Sequence, residues 1–184
     1  YGDLSILFGD GLGGFAPPVN FSSGFRLSSL AVGDFNGDGK ADLAVARSRS
    51  TVPEGDGEID ILLGDGLGGF TTATTFDLND GFAAYMQIAD LNHDNKLDIA
   101  AAKDFRNLVF PVVDPFKSKN ITIMLGNGAG GFGPAVDFPL PKFGASQGNG
   151  VLNIGDFNGD GNPDLTAGGV ALLLGDGTGK FGTP

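Results

Sequence analysis

Side chains that carry oxygen ligands recur three times in this chain, always at positions 1, 3, 5 and 9 of a nine-residue stretch. The three stretches read DFNGDGKAD (34–42), DLNHDNKLD (90–98) and DFNGDGNPD (156–164). Carboxylates and amide carbonyls at alternating positions of a tightly curled loop, with a backbone carbonyl at position 7, are the ligands that a hard cation such as Ca²⁺ prefers. The sequence therefore predicts three calcium sites. The predicted side-chain ligands are Asp34, Asn36, Asp38 and Asp42; Asp90, Asn92, Asp94 and Asp98; and Asp156, Asn158, Asp160 and Asp164.

Two other structures compete with a metal loop as interpretations of these stretches. A single copy could be a solvated turn, since Asp, Asn and Gly dominate turns, but three copies with the same final carboxylate favour a metal. An EF-hand would place Glu at position 12 between two helices, whereas position 12 is Val45, Ala101 and Ala167. The apolar runs that follow the loops are short and typical of buried strands. We expect strand, calcium loop, strand.

Glycine at position 6 of the loop has a conformational purpose. Gly39 and Gly161 permit the positive φ that a sharp turn around an ion requires. Asn95 replaces glycine in the second copy, and Asn tolerates this conformation better than most residues. We therefore keep the second site and expect it to be the weakest.

A second repeated unit alternates with the loops. An apolar strand runs into G-[DN]-G-x-G-x-F and a further strand follows, at 5–21, 60–76, 122–138 and 171–184. A glycine-rich hexamer between apolar runs indicates a β-hairpin, and its Phe is expected to anchor the outgoing strand in the core. A phosphate-binding loop is disfavoured, because no helix follows and no Lys-Ser/Thr pair closes the motif. The expected anchors are Phe15, Phe70, Phe132 and Phe181.

Together the two units predict an all-β chain of four-stranded antiparallel repeats, which is typical of β-propeller blades. Residues 1–21 supply half a blade, 22–76 and 77–138 a blade each, and 139–184 a partial blade. These are about three and a half blades, whereas closed propellers have 4–8. We expect a single propeller segment, completed by further blades of the same chain or by another subunit.

Composition and charge restrict the possible functions. The chain has 184 residues, 33 Gly, 16 Phe and no Cys, so no disulfide scaffold or thiolate metal site is possible. Lys and Arg (11) against Asp and Glu (22) give a net charge of −11, and nine of the acids lie in the three loops. Without a basic stripe, nucleic-acid binding is not expected. No apolar run is long enough to predict a membrane span.

The alternation of D-x-N-x-D-G-x-x-D with L-G-[DN]-G-x-G-x-F resembles FG-GAP/VCBS repeats, which occur in the integrin α-subunit head and in many secreted bacterial surface proteins. The resemblance covers nearly the whole chain. It implies a calcium-binding propeller of seven or eight blades, and it matches the twelve side-chain ligands given above. It also implies that Lys40, Lys96 and Asn162 contribute backbone carbonyls.

The remaining loops are predicted to form the face opposite the calcium loops. The segments 47–58, 103–120, 80–85 and 142–149, together with Phe25 and Arg26, hold aromatic, basic and amide side chains that suit recognition of a glycan or a protein. Phe110 and Phe116 could equally pack a long insertion onto the propeller. We expect an extracellular, calcium-stabilised binding or adhesion module without enzymatic activity.

The alternatives are the scaffold of a glycan-active enzyme and a structural repeat of a surface filament. Most acids are assigned to calcium, so few remain as catalytic candidates. These are Glu54, Asp56, Glu58 and Asp80. His93, the only histidine, lies at position 4 of the second loop and is expected to face solvent, where it is poorly placed for a catalytic triad.

Overall fold

A computed structural model describes residues 3–22, 25–48, 57–78, 82–104, 120–140, 152–167 and 171–182 of the chain. All regular structure within these ranges is β-strand. The thirteen strands are β1 (Asp3–Ile6), β2 (Val19–Ser22), β3 (Arg26–Gly33), β4 (Asp42–Ser48), β5 (Gly57–Gly64), β6 (Phe70–Asp77), β7 (Phe82–Ala89), β8 (Asp98–Asp104), β9 (Asn120–Met124), β10 (Val136–Pro139), β11 (Leu152–Gly155), β12 (Asp164–Ala167) and β13 (Ala171–Leu173).

The strands form four separate antiparallel sheets in which chain neighbours pair. Two sheets have four strands, β3-β4-β5-β6 and β7-β8-β9-β10; one has three, β11-β12-β13; and β1 pairs with β2. This up-and-down order confirms the all-β prediction and is consistent with propeller blades.

No helix long and apolar enough to cross a membrane occurs in the described ranges. The predicted unit boundaries at 76 and 138 fall near the ends of β6 and β10 and stay predictions.

The second strand of each full sheet is buried on both faces. In β4 the residues from Leu43 to Ala46 are each at most 5% exposed, and in β8 the run from Ile99 to Ala101 is fully buried. A strand covered on both faces has a continuous apolar sequence rather than an alternating one. The runs LAVA and IAAA are therefore explained by neighbouring sheets that pack against each side.

Neighbouring sheets meet along their first strands. Ser28 of β3 donates its hydroxyl to the carbonyl of Ala83 at 2.7 Å, and the Ser29 hydroxyl accepts the backbone N–H of Met86 at 3.0 Å. Strands β3 and β7 both carry a register irregularity at this level. A bulge turns side chains out of the regular ladder, and here it lies where hydroxyls of β3 reach β7.

The four glycine-rich hexamers form the predicted hairpins. In each one the glycine that ends the incoming strand pairs with the phenylalanine that starts the outgoing one. Phe181 is 7% exposed, in agreement with a core anchor, but Phe15 is 69% exposed and is not one. Interior hairpins are covered by the preceding sheet, and none of the described residues covers Phe15 in that way.

Candidate metal centres

The first carboxylate of each loop organises the loop backbone around itself. Asp34 accepts hydrogen bonds from the N–H groups of Asp38 (3.1 Å) and Gly39 (2.8 Å). Asp90 and Asp156 accept the equivalent bonds from positions 5 and 6 at 2.8–3.2 Å. Because both oxygens of this residue accept backbone N–H groups, the carboxylate must lie on the inner side of the turn.

The side chains at positions 3 and 5 also accept backbone N–H groups from their own loop. Asn36 accepts the N–H of Asp38 at 2.9 Å, and Asp38 accepts the N–H of Lys40 at 2.9 Å. The equivalent bonds of the second and third loops measure 2.8–3.1 Å. The structure thus turns the predicted ligands at positions 1, 3 and 5 toward their own loop backbone in all three copies.

The ninth residue has a role that the sequence did not indicate. Asp42, Asp98 and Asp164 are completely buried. One oxygen of Asp42 accepts the N–H of Phe35 at position 2 (2.9 Å), and the other accepts the N–H of Gly64, which begins the hairpin (2.8 Å). The other two loops repeat both bonds at 2.7–2.9 Å. This carboxylate therefore joins each loop to the hairpin of its own repeat unit.

The same junction explains the first glycine of the hairpin. A Cβ on Gly64, Gly126 or Gly175 would lie 2.1–2.2 Å from the carbonyl oxygen at position 8 of the loop. Only glycine allows the two backbones to approach this closely. The available sequence signal was the glycine found at this point in every hairpin, but its partner in the loop is distant along the chain.

Positive φ angles occur at two positions of each loop. Position 6 has them as predicted, in Gly39 (80°), Gly161 (86°) and Asn95 (61°). Position 4 has them as well, which the sequence analysis missed, and there the second loop carries His93 (61°) in place of glycine. His93 is exposed, and its Nε2 lies 3.2 Å from the side-chain oxygen of Asn162 in the third loop. His93, whose positive φ is unfavourable for a residue other than glycine, thus also connects the second loop to the third.

Lysine partly neutralises two of the three acidic loops. Lys40 lies 3.2 Å from Asp38 and Lys96 lies 3.3 Å from Asp94. The backbone N–H of Lys40 lowers the pKa of Asp38, and that of Asn162 lowers the pKa of Asp160. For Asp94, burial raises the pKa but hydrogen bonds from Lys96 and Asn92 outweigh it, so the pKa is lowered.

The pKa of the Asp98 carboxyl is raised above its ordinary value. Burial is the largest cause, and it outweighs the N–H groups of Gly126 and Leu91. The negative charges of Asp94 and Asp90 raise this pKa further. Three carboxylates share one loop here, and a bound cation would reduce their repulsion.

The residue types in the loops fit a calcium ion. A carboxylate is an acceptor with about four lone-pair sites on its two oxygens, so those that already accept backbone N–H groups retain capacity for a metal. As the loops stand, however, no three Asp, Glu, His or Cys side chains among the described residues are grouped as a metal centre. At position 7, the backbone N–H groups of Lys40, Lys96 and Asn162 donate to the side chain at position 5. The backbone carbonyls of the same three residues stay predicted ligands.

Most of the predicted ligand face lies outside the described residues. This includes Glu54, Asp56, Asp80, Phe110, Phe116 and the segment 142–149. Within the described part, Arg47 pairs with Glu58 at 2.7 Å and lies over the ring of Phe25 at 4.2 Å from its centroid. Glu58 is 6% exposed and is thus held in an ion pair within the sheet.

Comparison with known proteins identifies one part of the chain directly. Residues 27–62, which extend from β3 through the first loop and β4 into β5, match the family model of the FG-GAP repeat. A search of curated proteins found no match. The matched residues contain the loop from Asp34 to Asp42, and the other two loops repeat its hydrogen bonds. Residues 27–62 are therefore similar to one FG-GAP repeat.

Proposed function

We propose that the three loops bind Ca²⁺ and that the ions stabilise a propeller-like, extracellular binding or adhesion module without enzymatic activity. One observation carries the proposal: three loops, separated along the chain, hold the same carboxylate and amide side chains in the same inward hydrogen-bonded arrangement. Conventional acidic turns would satisfy the backbone without requiring this full ligand set three times. Oxygen donors of this kind suit a hard cation.

Each ligand position would have a definite task. Positions 1, 3 and 5 supply side-chain oxygens from within the turn, and position 7 supplies its backbone carbonyl. Position 9 supplies a buried carboxylate that already holds the hairpin, as Asp42 holds Gly64. A bound Ca²⁺ would supply two positive charges to a loop that carries three carboxylates. Calcium binding is thereby linked to the junction between loop and hairpin.

Calcium titration tests this proposal. At a free concentration of about 100 times Kd, each ion bound only by the folded state adds about 2.7 kcal/mol of stability. We expect calorimetry to show three Ca²⁺ per chain and the melting temperature to rise relative to protein in EDTA, with Mg²⁺ less effective. Asp34→Asn, Asp90→Asn and Asp156→Asn should each reduce the stoichiometry by one.

Asp65→Asn is the matched control for these variants. Asp65 lies in a hairpin outside the loops, where it accepts the N–H groups of Leu67 and Gly69, and Asn127 occupies the same position in the next hairpin. The control should therefore leave the calcium stoichiometry at three. A melting temperature that is the same in Ca²⁺ and in EDTA would contradict structural calcium.

We propose a glycan or a protein as the ligand of this module. The support within the described residues is the aromatic ring of Phe25, which belongs to a segment predicted for recognition and on which the ion-paired Arg47 stacks. Tyr85 is 38% exposed in β7. Binding to a glycan array in Ca²⁺, with EDTA-treated protein as the control, tests for a sugar ligand. Specific signals that weaken in Phe25→Ala would support a glycan, and a blank array would favour a protein.

A further inference from the structure

The last strand of one repeat unit differs in sequence from its counterparts in the other units. From the hairpin phenylalanine onward, the four units read FAPPVNF (15–21), FTTATTF (70–76), FGPAVDF (132–138) and FGTP (181–184). Proline stands two or three residues after the phenylalanine in three of these copies and is absent from the second. The second copy also lacks glycine and charged residues, and four of its seven residues are threonine.

The length of these strands follows the prolines. Strand β6 has eight residues, whereas β2 and β10, the last strands of the units before and after it, have four residues each. Strand β2 begins directly after Pro17 and Pro18, and β10 begins two residues after Pro134. Proline has no N–H to donate, and on an edge strand it discourages pairing with another chain. Strand β6 lacks this protection.

One edge of β6 is open. It is the outermost strand of the sheet β3-β4-β5-β6, and none of the described strands pairs with its outer edge. Apart from the ladder with β5, the described ranges contain no backbone hydrogen bond that joins residues 70–76 to another element. Thr71, Thr72, Ala73 and Thr75 are exposed. A long, uncharged edge with unpaired N–H and C=O groups is a template for the addition of a further strand.

This open edge does not depend on where the array of units begins or ends. The unit that contains β6 already has a neighbour on each side. The ring of Phe70 packs on Phe21 of the unit before it at 5.6 Å, and that of Phe76 packs on Phe132 of the unit after it at 5.5 Å. Units of a repeat array contact their nearest neighbours. A further repeat at either end would therefore meet an outer unit and leave the edge of β6 as it is.

We propose that a second copy of this chain pairs with β6 through its own β6, so that two four-stranded sheets join into one continuous sheet. Pairing of a strand with its antiparallel copy is an isologous contact about a two-fold axis, the commonest symmetry of protein dimers. Because 70–76 holds no charge, no like charges face each other along this stretch. The inference goes beyond calcium binding and the recognition of a glycan or protein ligand.

The side chains of β6 favour a copy of the strand over a foreign peptide. In strand addition the main chain supplies affinity, and the side chains select the partner sequence. The exposed threonines and Ala73 offer neither a charge nor a large apolar side chain for such selection. The sequence FTTATTF reads the same in both directions, so an antiparallel copy presents the same residue types in the same order. Threonine pairs across neighbouring strands are favourable.

Sedimentation velocity and hydrogen exchange of the calcium-loaded chain over a range of concentrations test the proposal. The measurements use about 0.15 M salt, where repulsion from the net charge of −11 is screened beyond about 8 Å. Wild type should form dimers that grow no further, because each dimer pairs the two open β6 edges with each other. Amide exchange should slow in β6 on dimerisation and stay unchanged in β2 and β10.

Thr72→Pro is the decisive variant. Position 72 lies two residues after the hairpin phenylalanine, where Pro17 and Pro134 stand in the neighbouring units, so the fold already accommodates proline there twice. The variant should raise the dissociation constant of the dimer by about tenfold or more, since proline removes one donor from each copy and interrupts the edge. Circular dichroism and a melting curve in Ca²⁺ check that it is folded.

Two further variants complete the experiment. Thr72→Glu adds a negative charge to the edge of each copy, so it should weaken the dimer at low salt and less so at high salt. This variant carries the test if Thr72→Pro does not fold. Val136→Thr is the matched control, because Val136 stands in β10 where Thr74 stands in β6 and is 51% exposed. It should dimerise as wild type does.

Three results would overturn the proposal. The first is a wild type that stays monomeric up to about 1 mM, the weak end of measurable association. The second is a folded Thr72→Pro or Thr72→Glu chain that dimerises as strongly as wild type. The third is slower exchange on dimerisation in strands other than β6, which would place the contact between the copies elsewhere.

Discussion

Asp42, Asp98 and Asp164 end the three loops, and each combines a predicted metal ligand with a structural junction. In calcium-free protein only the structural role operates. Without metal, the carboxylate still accepts the N–H of a loop residue and the N–H of a hairpin glycine. Asp38, in contrast, is a third exposed at its side chain and accepts one N–H within its own turn. The two positions therefore predict different responses to substitution.

In EDTA, Asp42→Ala should be much more destabilising than Asp38→Ala. The first leaves two buried N–H groups without an acceptor, at about 1–3 kcal/mol each. The second removes a solvent-exposed pair with Lys40, and water and salt screen such a pair. Urea unfolding in EDTA measures the difference. In saturating Ca²⁺ both variants should also lose the stabilisation of the first site. Equal losses in EDTA would show that the junction contributes little.

Asn95 adopts a φ of 61°, a conformation that glycine accepts more readily. Asn95→Gly should therefore stabilise the calcium-free protein by up to about 1 kcal/mol, and Asn95→Ala should destabilise it by about 1 kcal/mol because alanine adopts positive φ poorly. Calorimetry of Asn95→Gly also tests whether the second site is the weakest, since tighter binding there is expected if its backbone limits affinity. Weaker binding in this variant would contradict that explanation.

At the scale of elements, hairpin and loop are held together by backbone proximity. A Cβ on Gly126 would lie 2.1 Å from the carbonyl oxygen of Leu97, whereas one on Gly133 would lie 3.7 Å from its nearest neighbour, the carbonyl oxygen of Leu125. Gly126→Ala should thus destabilise the protein by about 1–3 kcal/mol, the usual range for overpacking. Gly133→Ala is the matched control and should be nearly neutral. Thermal unfolding compares them, and similar losses would mean that the close approach relaxes easily.

Local features of these elements were predictable from the sequence. The alternating oxygen ligands predicted the loops, the short apolar runs predicted the strands, and G-[DN]-G-x-G-x-F predicted the hairpins, because each depends on residues within one turn or strand. The junction at position 9 was not predictable. Asp42 meets Gly64 22 residues away, and Asp98 meets Gly126 28 residues away. Nothing in the local pattern shows which glycine would lie beside which carboxylate.

The burial of the hairpin phenylalanines likewise could not be predicted from the local sequence. All four were expected to be core anchors, because their local sequence context is the same. Phe181 is buried by Phe138 of the preceding unit, whereas Phe15 is exposed. Burial here depends on which unit comes before, and that is a property of the array rather than of the motif.

For the whole molecule, stability should follow the order of the units. In an array whose units contact mainly their neighbours, stability is a sum of unit terms and interface terms. Among the described residues, the sheet of β1 and β2 has two strands, and an isolated pair of strands is marginal in water. It contacts the next sheet through the edge-on packing of Phe21 against Phe70. We expect this sheet to open first.

Hydrogen exchange can locate that opening. Amides of β1 and β2 should exchange before those of β4, β5 and β8, which are largely buried. Phe21→Ala removes an aromatic pair worth about 0.5–1.5 kcal/mol beyond its buried area, so exchange in β1 and β2 should accelerate by roughly two- to tenfold while β7–β10 is unaffected. Phe138→Ala, which removes the equivalent pair with Phe181, should instead accelerate β11–β13. If either variant accelerated exchange equally in all sheets, the array would unfold as a single cooperative unit, and the aromatic pairs would stabilise the whole rather than separate junctions between neighbours.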